Sequence, residues 1–186
     1  MQITGGRLKG RRLYTGRIKA LRPTSEKIRE AIFNILTPFL TGGSVLDLFA
    51  GTGSLGIEAL SRGMEEGVFV ECNSAVIPIL KKNIDSCQLS EYVEILKVPV
   101  SRGIKILNTR RKKFKLIFLD PPYQKQLVGK TLLELNESEI LIPKGIIIAE
   151  HYHKEKIEDT YGKLKIMDQR KYGQSLISFF FSGNQT

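Results

Sequence analysis

Apolar residues recur along this chain with two different periods. From Thr24 onward the spacing is helical: Ile28, Ala31, Ile32, Ile35, Leu36 and Phe39 fall on one face, Thr24 after Pro23 is placed to cap the first turn, and Thr41-Gly42-Gly43 ends the run. Short apolar runs follow at 44–48, 67–71, 92–96, 115–119 and 145–150, with helical stretches between them. Strands buried on both faces read as such runs, and crossovers of roughly 10 to 20 residues place helices on both sides of a parallel sheet. The end of the chain differs, because 164–171 and 175–182 flank Tyr172-Gly173-Gln174 as an antiparallel hairpin does. The pattern predicts an α/β fold: a doubly wound, mostly parallel seven-stranded sheet closed by a C-terminal antiparallel hairpin. A small basic N-terminal hairpin precedes it, which divides the chain into an extension, 1–22, and a main domain, 23–186.

Composition adds a charge that is unevenly placed. The chain has 186 residues, 41% of them hydrophobic, enough for one buried core, and a net charge of +10. Among the first 29 residues, Arg7, Lys9, Arg11, Arg12, Arg17, Lys19, Arg22, Lys27 and Arg29 face only Glu26. Basic side chains interspersed with glycine, as in Gly5-Gly6-Arg7-Leu8-Lys9-Gly10-Arg11-Arg12, can follow a phosphate backbone and displace its counterions; the alternative is a solvated face. Cys72 and Cys87 are too few and too far apart for a disulfide framework or a metal site, so no metal is expected. No run approaches the roughly 18 apolar residues of a membrane span, nor is there a secretory apolar core, and the expectation is a cytoplasmic monomer with no membrane partner.

Candidate chemistry begins at Val45-Leu46-Asp47-Leu48-Phe49-Ala50-Gly51-Thr52-Gly53-Ser54-Leu55-Gly56, a strand, a glycine turn and a helix start. Glycine is needed where backbone turns sharply against a ligand. Gly51, Gly53 and Gly56 also satisfy the dinucleotide fingerprint, and Glu71 stands 20 residues after Gly51, where a ribose-binding carboxylate is wanted. Asp47 separates the cofactors. A carboxylate there would repel a pyrophosphate by about 1 to 4 kcal/mol, whereas S-adenosylmethionine brings an amine and a sulfonium, both cationic. Asp47 bonding only its own loop, and Glu71 as an ordinary strand-end residue, are the plainer readings.

Asp120-Pro121-Pro122-Tyr123 follows the fourth run. The two prolines stiffen the strand exit and offer no donor, leaving carbonyls and the Asp120 carboxylate as acceptors. An exocyclic base amine is a poor nucleophile because its lone pair is delocalised into the ring. Acceptors aimed at its N–H groups favour a pyramidal nitrogen that can attack a methyl carbon held in line. Asp120 could take the released proton, and Tyr123 could stack on a base drawn out of its helix. A rigid turn with no chemistry is the plainer alternative.

These stretches resemble the RsmD family, the 16S ribosomal RNA (guanine-N2)-methyltransferases. The likeness runs from about Ile3 to Phe181. It is carried by Ile3-Thr4-Gly5-Gly6-Arg7-Leu8-Lys9-Gly10-Arg11, by Leu21-Arg22-Pro23-Thr24 leading into Arg29-Glu30-Ala31-Ile32-Phe33-Asn34, and by the glycine loop continued to Gly63 together with Asp120-Pro121-Pro122-Tyr123. The resemblance implies the class I S-adenosylmethionine-dependent methyltransferase (Rossmann-like) fold. It also implies that Asp47, Phe49, Gly51, Gly53 and Glu71 hold the cofactor, that Asp120, Pro121, Pro122 and Tyr123 hold a guanine, and that Arg7, Lys9, Arg11 and Arg12 grip RNA with Arg22 and Thr24 bordering the site. The product would be S-adenosylhomocysteine and the partner 16S rRNA or the small-subunit particle. One departure concerns the adenine. Related enzymes often carry an acidic or amide side chain after the third strand; here Lys97-Val98-Pro99-Val100-Ser101 leaves backbone groups or Ser101.

Other features point elsewhere. Arg110, Arg111, Lys112, Lys113 and Lys115 read as a solvated loop, His151 and His153 as exposed polar residues, and Phe179, Phe180 and Phe181 as core. The same chemistry would serve adenine-N6, cytosine-N4 or a protein glutamine as acceptor. A nicotinamide-dependent oxidoreductase fits the glycines but not Asp47 and Asp120, and a nonenzymatic RNA-binding protein on the same fold is the remaining rival.

Overall fold

The structure, a computed structural model, describes residues 1–16, 26–122 and 127–183. Five helices, α1 (Glu26–Leu36), α2 (Ser54–Ser61), α3 (Ile77–Ser86), α4 (Val100–Thr109) and α5 (Leu127–Glu137), alternate with strands β1 (Ser44–Asp47), β2 (Glu66–Val70), β3 (Val93–Leu96), β4 (Phe114–Leu119) and β5 (Leu141–Tyr152). Strands β6 (Thr160–Tyr161), β7 (Leu164–Tyr172) and β8 (Ser175–Ser182) complete one sheet in the order β3-β2-β1-β4-β5-β8-β7-β6. β1 to β5 pair in parallel, and β8 enters antiparallel between β5 and β7. The two-residue edge strand β6 is an addition to the seven strands expected. Thr24, read as the cap of α1, lies outside the described residues.

Alternation along the strands divides the core into two layers. Val45, Leu116, Phe118, Ile146, Ile148, Ile177 and Phe179 face α1, α2 and α3, whereas Leu46, Leu48, Ile117, Leu119, Ile147, Ala149 and Phe180 face α4 and α5. Phe33 and Arg29, absent from the helix face read in the sequence, are both fully buried, and the Phe33 ring lies 5.7 Å from that of Phe118. After β3 the chain returns to place β4 on the other side of β1. The carboxyl ends of β1 and β4 therefore flank the topological switch point, where open α/β sheets bind ligands.

The N-terminal segment is less a hairpin than a strap. Its antiparallel pairing is the bridge Gln2–Arg12, supported by Ile3 N–H to Arg11 O and Leu13 N–H to Met1 O, both at 2.9 Å, around a single 3₁₀ turn, Gly6–Leu8. Ile3 and Leu13 are buried in the same layer as α2. Ser61 Oγ donates to the Gly5 carbonyl at 2.6 Å and accepts from Leu8 N–H at 2.9 Å. Gly6, at φ +74, sits where a side chain would overlap the Ser61 carbonyl. Beneath the strap, the fully buried Glu58 accepts from Arg29 Nε at 3.2 Å, Arg62 Nε at 2.7 Å, Thr4 Oγ1 at 2.8 Å and Thr4 N–H at 2.9 Å. Arg29 also donates to the Gln2 carbonyl.

Candidate active site

Asp47 is the last residue of β1, in register with Phe69 on β2 and Phe118 on β4. Its side chain is buried. Oδ2 accepts the Gly56 N–H at 3.2 Å, and Oδ1 has no hydrogen-bond partner among the described residues. Burial pushes its carboxyl up to about 7; the Gly56 amide opposes the shift, the Glu71 charge adds to it, and the Phe49 amide again opposes it. A buried oxygen with an unmet lone pair at a ligand-binding edge wants a donor, and a cationic one would restore the carboxylate.

The loop after Asp47 depends on its glycines. Gly51 and Gly53 have φ of +53 and +82, and Gly53 caps α2 from the left-handed region. At Gly56 a methyl group would overlap the Phe69 ring, so its absence lets α2 lie close on β2. Glu71, just past β2, braces the turn: Oε2 accepts Gly51 N–H at 2.9 Å and Oε1 accepts Asn73 N–H at 2.7 Å. Each oxygen keeps a further lone pair for a ligand hydroxyl. Phe49 is half-buried against the second core layer. Ser101 stands in the first turn of α4, where its hydroxyl donates to Glu134 Oε1 of α5 at 2.7 Å and retains only acceptor capacity.

Asp120 and Pro121 follow β4 directly; Asp120 is half-buried, Pro121 buried and Pro122 exposed. By strand alternation Asp120 shares the layer of Phe118, which is also the layer of Asp47. The two carboxylates thus end neighbouring strands, on one face and at one edge of the sheet. Tyr123, Arg22 and Thr24 lie outside the described residues.

Arg7, Lys9, Arg11 and Arg12 are exposed and line an open groove of about 630 Å³ that Tyr14 and Ser86 complete. Lys82 Nζ sits 3.6 Å from the centre of the Tyr14 ring. A side chain that the sequence did not single out joins this groove to the glycine loop. Asn83, fully buried on α3, accepts Tyr14 N–H at 2.7 Å and donates to the Tyr14 carbonyl at 2.9 Å and the Thr52 carbonyl at 2.8 Å. Nothing near Asn83 in the sequence signals this, since Tyr14 is 69 residues away.

The basic run before β4 sits at the edge of the sheet opposite Asp47 and Asp120, where Tyr92 lies near both Lys112 and Arg7 of the strap. Arg110 pairs with the exposed Glu94 at 2.6 Å, and Lys115 bonds Thr41 Oγ1 at 2.7 Å. His151 departs from the sequence reading. β5 continues past residue 150 and pairs His151 with Leu176, which buries the imidazole completely. His151 Nδ1 donates to the Tyr152 carbonyl at 3.3 Å, so Nε2 of the neutral ring accepts from the Ser178 hydroxyl at 2.9 Å; Ser178 Oγ in turn accepts Gln169 Nε2 at 3.0 Å, and burial pulls the histidine pKa down. Phe179 and Phe180 are core, as read. No group of side chains suited to a metal ion occurs among the described residues, and no described helix is long and apolar enough to cross a membrane.

Residues 1–181 match the protein family described as Conserved hypothetical protein 95. The protein YlbH of Bacillus subtilis (strain 168) is 36% identical over 180 residues, covering 97% of this chain and 98% of the relative. Ribosomal RNA small subunit methyltransferase D of Buchnera aphidicola subsp. Acyrthosiphon pisum (strain APS) is 37% identical over 155 residues, 83% of this chain and 80% of that protein. The solved structure of yhhF from Escherichia coli superposes with a TM-score of 0.85 at 24% identity, over 100% of this chain and 99% of that one, and so shares the fold. That fold is the class I methyltransferase architecture, an α/β sheet mainly parallel with antiparallel C-terminal strands. Matched over almost its full length, the chain belongs to the Conserved hypothetical protein 95 family, which is the family of the RsmD proteins.

Proposed function

We propose that this protein transfers a methyl group from S-adenosylmethionine to the exocyclic N2 of a guanine in 16S ribosomal RNA, releasing S-adenosylhomocysteine and using no metal. The observation that carries the reading is the placing of Asp47 and Asp120 at adjacent ends of β1 and β4, with Asp47 Oδ1 buried and lacking a hydrogen-bond partner among the described residues. Relatives named as ribosomal RNA small subunit methyltransferases support the substrate class.

The residues present fit the methyl donor. Asp47 would hold its ammonium, Glu71 its ribose hydroxyls, and Phe49 and Ser101 would flank the adenine, while Gly51 and Gly53 let the backbone close on it. The bound donor supplies a methyl group on a positively charged sulfur. On the acceptor side, Asp120 and the carbonyls of Pro121 and Pro122 accept from the base amine and orient its lone pair, and Tyr123 stacks on the base. The extension 1–22 grips RNA phosphates through Arg7, Lys9, Arg11 and Arg12, with Arg22 and Thr24 bordering the pocket and 23–186 forming the methyltransferase domain. The protein works as a monomer in the cytoplasm, on 16S rRNA or the small-subunit particle.

Small-subunit particles from a strain lacking the enzyme, incubated with donor carrying a labelled methyl group, should acquire label on one guanine N2. Asp120→Ala should lower that transfer by about 100-fold or more. Label on another base, or full transfer by Asp120→Ala, would overturn the reading.

A further inference from the structure

β5 brings a third carboxylate to the edge where Asp47 and Asp120 meet. Leu119 pairs with Ala149 in the β4–β5 ladder, so the residues that follow, Asp120 and Glu150, stand side by side. Ile146 and Ile148 belong to the first core layer, Ile147 and Ala149 to the second, and alternation places Glu150 on the face of Asp47. Its backbone is in register with Ile177 of β8, and Ser175 Oγ donates to Glu150 Oε1 at 2.8 Å. On the far face the bond between His151 and Ser178 pins the same strand end. Glu150 is 5% exposed. A glutamate is seldom buried to that degree unless its carboxylate is partnered, and this one is held by the ladder rather than by a flexible loop.

We propose that Glu150 reads the Watson–Crick edge of the target base and makes the site selective for guanine. The inference rests on the function proposed above and deepens it. Guanine alone among the RNA bases presents two adjacent donors on that edge, N1–H and the N2 amine. An ionised carboxylate is an acceptor at both oxygens and matches that pair. Adenine and cytosine put an acceptor nitrogen next to their amine, which would set a lone pair against the carboxylate. Glu150 takes N1–H and one amine hydrogen, and Asp120 beside it takes the other, so selection of the base and orientation of its nitrogen come from neighbouring strands. Ser175 fixes the rotation of the Glu150 carboxylate, a group whose two oxygens together offer about four acceptor sites.

Glu150→Gln keeps the shape and turns one acceptor into a donor. 2-Aminopurine keeps the N2 amine of guanine and turns N1 into an acceptor. RNA carrying either base at the mapped target position separates the possibilities. The wild-type protein should favour guanine over 2-aminopurine by roughly 10- to 100-fold in kcat/KM, and Glu150→Gln should reverse the preference while binding S-adenosylhomocysteine as the wild type does. Wild-type protein that uses 2-aminopurine as readily as guanine overturns the proposal whether or not the variant folds. So does a folded Glu150→Gln that still prefers guanine, and in both cases guanine methylation itself stands. If the wild type methylates a different base, the proposed function fails and this inference with it.

Discussion

The Asn83 carboxamide holds the Thr52 carbonyl at 2.8 Å while its other two bonds are to the backbone of Tyr14, so one buried side chain joins the glycine loop to the end of the basic strap. Asn83→Ala would leave backbone groups of Tyr14 and Thr52 without partners, at a cost of about 1 to 3 kcal/mol in stability. Because the loop and the strap share this anchor, S-adenosylhomocysteine and 16S RNA should both bind more weakly. Urea denaturation together with the two titrations checks this; unchanged ligand affinities alongside lost stability would reduce Asn83 to a packing role.

Asp47 makes stability and ligand binding depend on pH in opposite directions. Its carboxyl titrates near 3.8 in an unfolded chain and near 7 in the fold. Between those values the folded protein keeps a proton that the unfolded chain has released, so stability falls as pH rises from about 4 to about 7 and is level beyond, by an amount on the order of 4 kcal/mol. A ligand ammonium needs the ionised form, so affinity for S-adenosylhomocysteine should rise toward pH 7, with a proton released on binding below it. Asp47→Asn should flatten the stability profile, stabilise the free protein at pH 8 and abolish binding. Calorimetry in buffers of different ionisation enthalpy measures the proton; no release at pH 6 counts against this assignment.

The parts of the site legible in the sequence are those that one stretch of chain builds alone. Asp47 with Gly51, Gly53 and Gly56 is a strand end, a turn and a helix start, and Asp120-Pro121-Pro122 is a strand exit, so type and spacing suffice. Continuous apolar runs between helical stretches likewise marked the five parallel strands, though not their order. Residues whose role depends on distant partners were not legible. Arg29 looks like one more basic residue until Glu58, 29 positions on, is seen to bury it, and Glu150 acquires meaning only from the β4–β5 register. His151 read as exposed because the extension of β5 along β8 is a tertiary event.

Glu58 should be the residue on which docking of the strap depends most. It answers two arginines, one of them fully buried, and both the backbone and side chain of Thr4. A buried ion pair contributes little net stability over an apolar substitute, but removing one partner strands the other. Glu58→Ala leaves Arg29 charged in the core, where its Nη1 already lacks a partner among the described residues. A loss of about 3 to 5 kcal/mol is expected, with protease cleavage appearing first within residues 1–14. Cleavage that begins elsewhere, or a loss below about 1 kcal/mol, would contradict the docking role.

The strap's outward charges should act on RNA and hardly at all on the fold. Arg7, Lys9, Arg11 and Arg12 are exposed, whereas Ile3 and Leu13 supply the anchorage, so neutral substitutions at the four basic positions leave the melting temperature nearly unchanged. Each phosphate neutralised contributes about 0.7 to 0.9 to the slope of log affinity against log salt. Glutamine at all four positions should therefore flatten that slope by roughly 3 for a 16S fragment measured by fluorescence anisotropy across a potassium chloride series. Arg111 and Lys112 are equally exposed but belong to the turn between α4 and β4 and do not line the strap groove, and replacing them should not change the slope. If the two sets of substitutions flatten it alike, the basic charge acts diffusely and the strap is not the RNA-binding surface.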